Sequence, residues 1–175
     1  MANKIETLIS EEKLAARVAE LGKQIEKDYQ GKDLVCVGLL KGSVVFMTDL
    51  IKTINLDLKI DFMKVSSYGN GTDSTGIVKI LKDVDEEVTG KDVLLIEDIV
   101  DTGLTLANVK EFMWKKKPNS IKICTLLDKP SRRKADVKAE YVGFEIPDAF
   151  VIGYGLDYAE HYRNLPFVGV LTLGE

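Results

Sequence analysis

Residues 93–106 read VLLIEDIVDTGLTL, an apolar run that ends in carboxylates and then passes into Thr-Gly-Leu-Thr. Charged side chains are almost never buried unless they are paired or bound to a metal. A strand that delivers Glu97, Asp98 and Asp101 to its carboxyl end therefore needs something to compensate them. The T-G-L-T that follows supplies successive backbone N–H groups at the entry to a helix, where unpaired donors and the helix dipole attract anions. Gly103 lets the chain turn tightly, and Thr102 and Thr105 add hydroxyl donors.

Such a loop suits a phosphate monoester. Acids beside a phosphate repel it unless they hold a divalent cation or hydroxyl groups of the ligand, and Mg²⁺ prefers a few carboxylates together with waters and substrate oxygens. A phosphorylated, hydroxylated, metal-binding ligand such as a sugar phosphate satisfies both halves of the loop. The plain alternative is a helix cap, but a cap requires only one of the acids.

Outward from this stretch, short continuous apolar runs alternate with helical patterns. DLVCVGLL, KDVLLIED and SIKICTLLD read as strands buried on both faces, because they do not alternate. Between them, Leu14, Val18, Leu21 and Ile25 after Ser10 mark a surface helix that Gly31 ends. KGSVVFMTDLIKTI and TGLTLANVKEFMWKKK are further amphipathic segments, the second with Leu106, Val109, Phe112 and Met113 inward. LKIDFMKV and IVKIL flank a polar, Gly-rich segment and predict a hairpin with a mobile tip. EYVGFEIP, AFVIGYG and FVGVLTL are short strand-like runs near the C-terminus.

Strands alternating with helices imply a largely parallel sheet, whose ligands bind at the carboxyl ends of its strands. The loops LKGS, EDIVDTGLT and DKPSRRK should gather there.

The chain of 175 residues suits one domain, 1–175. Its 45% hydrophobic and 30% charged residues are ordinary for a globular protein and argue against disorder. A net charge of -4 gives no bulk attraction to nucleic acid. Residues 110–134 invert that balance, with nine Lys/Arg against Glu111 and Asp128, so this run reads either as a solvated face or as an attractor of anions or RNA. Cys36 and Cys124 sit in apolar runs as small core hydrophobes and form no disulfide framework. The N-terminus lacks a signal-type apolar region, and no apolar stretch approaches the roughly 18 residues of a membrane span, so a cytoplasmic protein is expected.

Other phosphate chemistries fail on spacing. The P-loop pattern G-x-x-x-x-G-K-[ST] is absent, and GYGLDY lacks the third glycine of a dinucleotide fingerprint. The aspartates of the loop are one position too far apart for a D-x-D-x-T phosphotransferase. His161 is the only histidine, which excludes a multi-histidine zinc site, and it reads as a surface or packing residue.

VLLIEDIVDTGLTL resembles the phosphoribosyl pyrophosphate signature of type I phosphoribosyltransferases. GLLKGSVVFMTDL, KVSSYG, LLDKPSRR and VGFEIPDAFVIGYGLDYAEHYRNLPFVGVL resemble the hypoxanthine-guanine branch of bacterial type, in order, from about Leu34 to Leu171. The resemblance implies an α/β type I phosphoribosyltransferase fold. In it a central, mostly parallel sheet is flanked by helices, with a small hood from the N- and C-terminal segments and a flexible hairpin lid over about 66–76. It also implies purine salvage: the 5-phosphoribosyl group passes from phosphoribosyl pyrophosphate to hypoxanthine or guanine, with xanthine a further candidate. The nucleoside monophosphate and pyrophosphate result, Mg²⁺ is the cofactor, and the enzyme is a homodimer or homotetramer with neither membrane nor nucleic acid as partner.

By that resemblance Glu97 and Asp98 lie near the ribose hydroxyls and the metal, while Asp101, Thr102, Gly103, Leu104 and Thr105 hold the 5′-phosphate. Asp101 matches the general base that takes a proton from the purine imidazole ring, and a positioned group of this kind gives roughly 10²–10⁴ in rate. Leu40, Lys41, Gly42 and Ser43 match the pyrophosphate loop, in which unusual backbone geometry turns N–H groups to the leaving group, and Arg163 matches a pyrophosphate contact. Lys129 matches the donor to the purine 6-oxo group, Phe150 the stacking aromatic, and Val151 a backbone contact to the base. Asp157 matches a purine-side and second-metal ligand, which makes Glu97, Asp98 and Asp157 the metal-binding set. Ser67 and Tyr68 match the lid tip, with Gly69 and Gly71 giving it freedom to exclude water. Leu104 stands where many relatives carry Lys or Arg, although backbone capture of phosphate needs no side chain there.

Two other functions fit parts of the chain. A regulatory nucleotide- or RNA-binding module on the same fold would use the basic run. A Mg²⁺-dependent phosphotransferase would use the acids but leaves Lys129, Phe150 and the lid without a role.

Overall fold

The computed structural model describes residues 2–67 and 77–174. Two sheets organise it. The larger has six strands in the order β4-β3-β2-β5-β6-β7 and the smaller three, in the order β1-β9-β8.

The strands β2 (Leu34–Leu39), β5 (Asp92–Val100) and β6 (Ser120–Asp128) form the centre of the large sheet. β2, β3 (Leu58–Ser67), β5, β6 and β7 (Tyr141–Glu145) run parallel, while β4 (Val78–Lys82) pairs antiparallel with β3. All six residues of β2 are buried because each face has its own cover. Leu34, Cys36, Leu94, Ile96, Cys124 and Leu126 join one cluster with the α1 and α2 residues Leu14, Leu21, Ile25, Met47 and Leu50. On the opposite face Val35, Val37, Val93, Leu95, Ile121 and Ile123 join Leu106, Val109 and Met113 of α3. Continuous apolar runs thus mark strands sandwiched between helix layers.

Helix α1 (Glu11–Asp28) begins at Ser10, whose Oγ accepts from the Lys13 N–H at 3.3 Å. Glu11 and Glu12 in its first turn and Lys27 in its last suit the helix dipole. Arg17 ties this helix to β7 by donating to the Gly143 and Val142 carbonyls at 2.9 and 2.8 Å. Helix α2 (Val44–Ile51) is shorter than the amphipathic pattern predicts, although Ile54 beyond its end is still buried. Helix α3 (Leu104–Trp114) starts after Gly103, which adopts φ 80°, a conformation open to glycine.

β1 (Lys4–Ile9), β8 (Val151–Ile152) and β9 (Val168–Thr172) make the small antiparallel sheet from the two ends of the chain. The run AFVIGYG yields only the two residues of β8, because Gly153, Tyr154 and Gly155 all take positive φ and leave the strand. The hairpin read from LKIDFMKV and IVKIL is present as β3 and β4. Its tip, with the lid residues Tyr68, Gly69 and Gly71, lies outside the described residues, while Ser67 closes β3. Among the described residues no helix is long and apolar enough to cross a membrane.

Candidate active site

Because β2, β5 and β6 are parallel, the loops that follow them share one edge of the sheet. Segment 40–43 leaves β2, segment 101–103 leaves β5, and residues from Lys129 leave β6.

The carboxylate loop encloses a small cavity of about 130 Å³, lined by Glu97, Ile99, Val100, Asp101, Thr102, Gly103, Thr105 and Leu106. It opens at the N-terminus of α3. Leu104 is not among its walls; the Leu104 N–H faces Thr102 Oγ1 at 3.4 Å. A Cβ on Gly103 would meet the Arg133 side chain at 2.9 Å, so this turn is tight against its support as well as left-handed.

A second cavity of about 230 Å³ adjoins the first, sharing Ile99 and Asp101 with it. Asp98, Lys129, Phe150, Val151, Leu156 and Asp157 complete its lining. Lys129 is only 7% exposed, whereas the Phe150 ring is 53% exposed and offers a face for stacking. Tyr158 holds that ring edge-on, with centroids 5.8 Å apart at 89°.

Glu97 and Asp98 lie at the junction. Each carboxylate caps the next backbone N–H, Glu97 Oε1 accepting from Asp98 at 3.0 Å and Asp98 Oδ1 from Ile99 at 2.7 Å. Burial, and then the neighbouring Asp98 charge, pushes the Glu97 carboxyl well above its ordinary range. Burial also raises Asp98, against the opposing pull of its local hydrogen bonds and of Arg163. Two adjacent buried acids in such a place would suit a bound cation, and their hard oxygens would fit Mg²⁺.

The Leu40–Lys41 peptide is cis. Lys41 Nζ meets Glu160 at 2.9 Å, and Arg163 meets the same carboxylate at 3.1 Å and Asp157 at 3.4 Å. Asp157 also accepts the Glu160 N–H at 2.8 Å. Asp157 shares a cavity with Asp98 but does not form a three-acid cluster with Glu97 and Asp98; among the described residues no group of three His, Cys, Asp or Glu side chains converges as a metal site. The proposed metal-binding acids are therefore split into a pair and a single carboxylate.

A model of the phosphoribosyl transferase domain matches residues 5–159. The hypoxanthine-guanine phosphoribosyltransferase of Staphylococcus aureus strain Mu50 is 60% identical over 166 residues, covering 95% of this chain and 93% of that protein. The chain belongs to the hypoxanthine-guanine phosphoribosyltransferase family. The hypoxanthine phosphoribosyltransferase of Salmonella typhimurium is 53% identical over 175 residues, covering 99% of this chain and 98% of its own. Among solved structures, a Staphylococcus aureus hypoxanthine phosphoribosyltransferase superposes with a TM-score of 0.93 at 59% identity, over 95% of this chain and 91% of that one.

Within this family fold, the basic run 110–134 is no uniform solvated face. Lys116 pairs with Asp83 at 2.6 Å and Lys129 is buried. Arg132 Nε donates to Asp101 Oδ1 at 2.6 Å. Arg133 pairs with the buried Asp128 and donates to the Asp101 carbonyl at 3.3 Å and the Val137 carbonyl at 2.5 Å. The Lys134 and Ala135 N–H groups add two bonds to the Thr102 carbonyl, at 2.8 and 3.1 Å. The segment after Lys129 thus braces the carboxylate loop from behind. Sequence reasoning missed these arginines, whose only signal was a local excess of charge that did not say which way they turn, and Glu160, which lies outside that run.

Proposed function

We propose that this chain is a purine-salvage enzyme that moves the 5-phosphoribosyl group from phosphoribosyl pyrophosphate to hypoxanthine or guanine, with xanthine a further candidate base. The observation that carries the reading is the junction of two cavities at Asp101: an anion-sized one at a helix N-terminus, and one with a lysine and an exposed aromatic ring.

In this reading the backbone of residues 102–105 and the hydroxyls of Thr102 and Thr105 take the 5′-phosphate. Lys41, Gly42 and Arg163 receive the pyrophosphate. Phe150 stacks on the base, Val151 meets its edge, and Lys129 donates to the 6-oxo oxygen. The base nitrogen attacks the ribose anomeric carbon, the bond from that carbon to pyrophosphate breaks with its electron pair, and Asp101 accepts the imidazole proton. A 6-amino base presents donors to Lys129, which has no lone pair to offer them.

The pair Glu97 and Asp98 would hold Mg²⁺, and Asp157 separately a second such ion; the metal when bound would neutralise the diphosphate charge of the substrate. The small sheet of β1, β8 and β9 acts as the hood, since it carries Val151 beside the base cavity. Ser67 and Tyr68 belong to the proposed lid. Two free, buried cysteines suit a reducing, cytoplasmic setting, and the family resemblance supports a homodimer or homotetramer.

Incubating the protein with Mg²⁺, phosphoribosyl pyrophosphate and each base in turn tests the reading. Nucleotide and pyrophosphate should appear together with hypoxanthine or guanine and not with adenine. Release of pyrophosphate without nucleotide would overturn it.

A further inference from the structure

Arg132 stands outside every role assigned above, yet it touches the proposed proton acceptor. Its Nε lies 2.6 Å from Asp101 Oδ1 and its Nη1 3.5 Å from Asp148 Oδ2. The other oxygen of Asp148 lies 3.8 Å from Lys129 Nζ. Resting on the transfer reaction proposed above, we infer that Arg132 is a positioning residue: with Asp148 it bridges Asp101 and Lys129, and so sets the distance between the proton acceptor and the 6-oxo donor.

The chemistry of the substrate gives this bridge a purpose. The imidazole nitrogen N7 and the 6-oxo oxygen of a purine occupy the same edge of the ring. Lys129 and Asp101 line the cavity proposed for that edge, but they sit on separate loops after β6 and β5. Loops drift relative to one another unless something couples them, and a misplacement of about 1 Å can cost up to about 10²-fold in rate.

Local structure fixes the bridge. Arg132 closes the short 3₁₀ turn Pro130–Arg132, and its N–H bonds to the Lys129 carbonyl at 3.1 Å, so the guanidinium is held close to Lys129 along the chain. Asp148 lies two residues before Phe150, in a segment anchored by the Ile146 N–H on the Asp128 carbonyl at 2.9 Å. One planar fork therefore joins the loops of the proton acceptor, the 6-oxo donor and the stacking ring. A lysine is a single point charge and spans two carboxylates poorly. Arg132 and Asp148 are both substantially exposed, so their pairing contributes little to global stability. Loss of the bridge should disturb positioning without unfolding the chain.

Steady-state kinetics of Arg132→Ala, Asp148→Asn and the double variant test the bridge, with Arg132→Lys as the conservative control. Arg132→Ala should lower kcat/KM for hypoxanthine by about tenfold while KM for phosphoribosyl pyrophosphate moves less than about twofold. Asp148→Asn should reproduce most of that loss, the double variant should be no worse than Arg132→Ala, and Arg132→Lys should recover part of it. Thermal midpoints should stay close to that of the unaltered protein. Base kinetics unchanged or faster in Arg132→Ala, strictly additive losses, or a KM for phosphoribosyl pyrophosphate raised by as much as kcat/KM for hypoxanthine falls would overturn the bridge. An unaltered protein that makes no nucleotide from any 6-oxopurine would instead sink the proposed reaction, and the bridge with it.

Discussion

Gly42 packs its backbone against the carboxylate of Asp98 so closely that a Cβ at position 42 would stand 1.9 Å from Asp98 Oδ2. The proposed pyrophosphate loop and the carboxylate pair are therefore one packed unit, and the loop can approach the acids only through a residue without a side chain. Gly42→Ala must push Asp98 or the loop aside. Its kcat/KM for phosphoribosyl pyrophosphate should fall about tenfold or more, measured at saturating hypoxanthine. Near-normal kinetics would show that this contact is dispensable.

In the proposed reaction Lys129 carries base selection. Its side chain is almost fully buried, so an incoming 6-amino group would face a donor with no water to mediate. Discrimination of hypoxanthine over adenine should reach about 10⁴ in kcat/KM, and Lys129→Met should collapse it to tens-fold, mainly by losing hypoxanthine. Parallel assays with both bases decide this, and retention of full discrimination in Lys129→Met would reassign the 6-oxo contact.

Asp61 should govern acid stability. It is buried on β3 and accepts the N–H groups of Phe62, Asp85 and Glu86 at 2.7, 2.7 and 2.8 Å. Burial alone would raise its carboxyl, but these three donors and Lys82 outweigh burial and hold it below the ordinary aspartate range. A depressed carboxyl adds stability above the unfolded-state value, and that stability disappears as pH falls through the folded-state value. Asp61→Asn should cost about 3 kcal/mol at neutral pH, and the gap to the unaltered protein should narrow below about pH 4. Urea titrations across pH measure both.

Cys36 and Cys124 should be chemically silent in the folded protein. Burial pushes the Cys36 thiol up to about 12, and burial together with the neighbouring Cys36 drives Cys124 higher still. Iodoacetamide at pH 8 should label neither until urea is added, as read by intact mass. Rapid labelling of the native protein would mean that the central strands open.

Legibility in the sequence followed burial. β2, β5 and β6 are covered on both faces and so announce themselves as unbroken apolar runs, and the polar residues at their ends mark the site. β1 escaped because five of its six residues are exposed and leave no apolar face to detect. The partners of Arg132, Arg133 and Glu160 were illegible for another reason. Arg132 meets Asp101 across 31 residues and Lys41 meets Glu160 across 119, so only the folded chain decides which charges face one another.

Asp101 lies where both cavities meet, and in the proposed reaction it makes the only proton transfer. Asp101→Asn keeps the size of the side chain and removes its basicity. Single-turnover formation of IMP by this variant, beside calorimetric binding of phosphoribosyl pyrophosphate with Mg²⁺, separates chemistry from binding. The rate should fall roughly tenfold or more while the dissociation constant stays within about twofold. An unchanged rate would contradict proton transfer to Asp101.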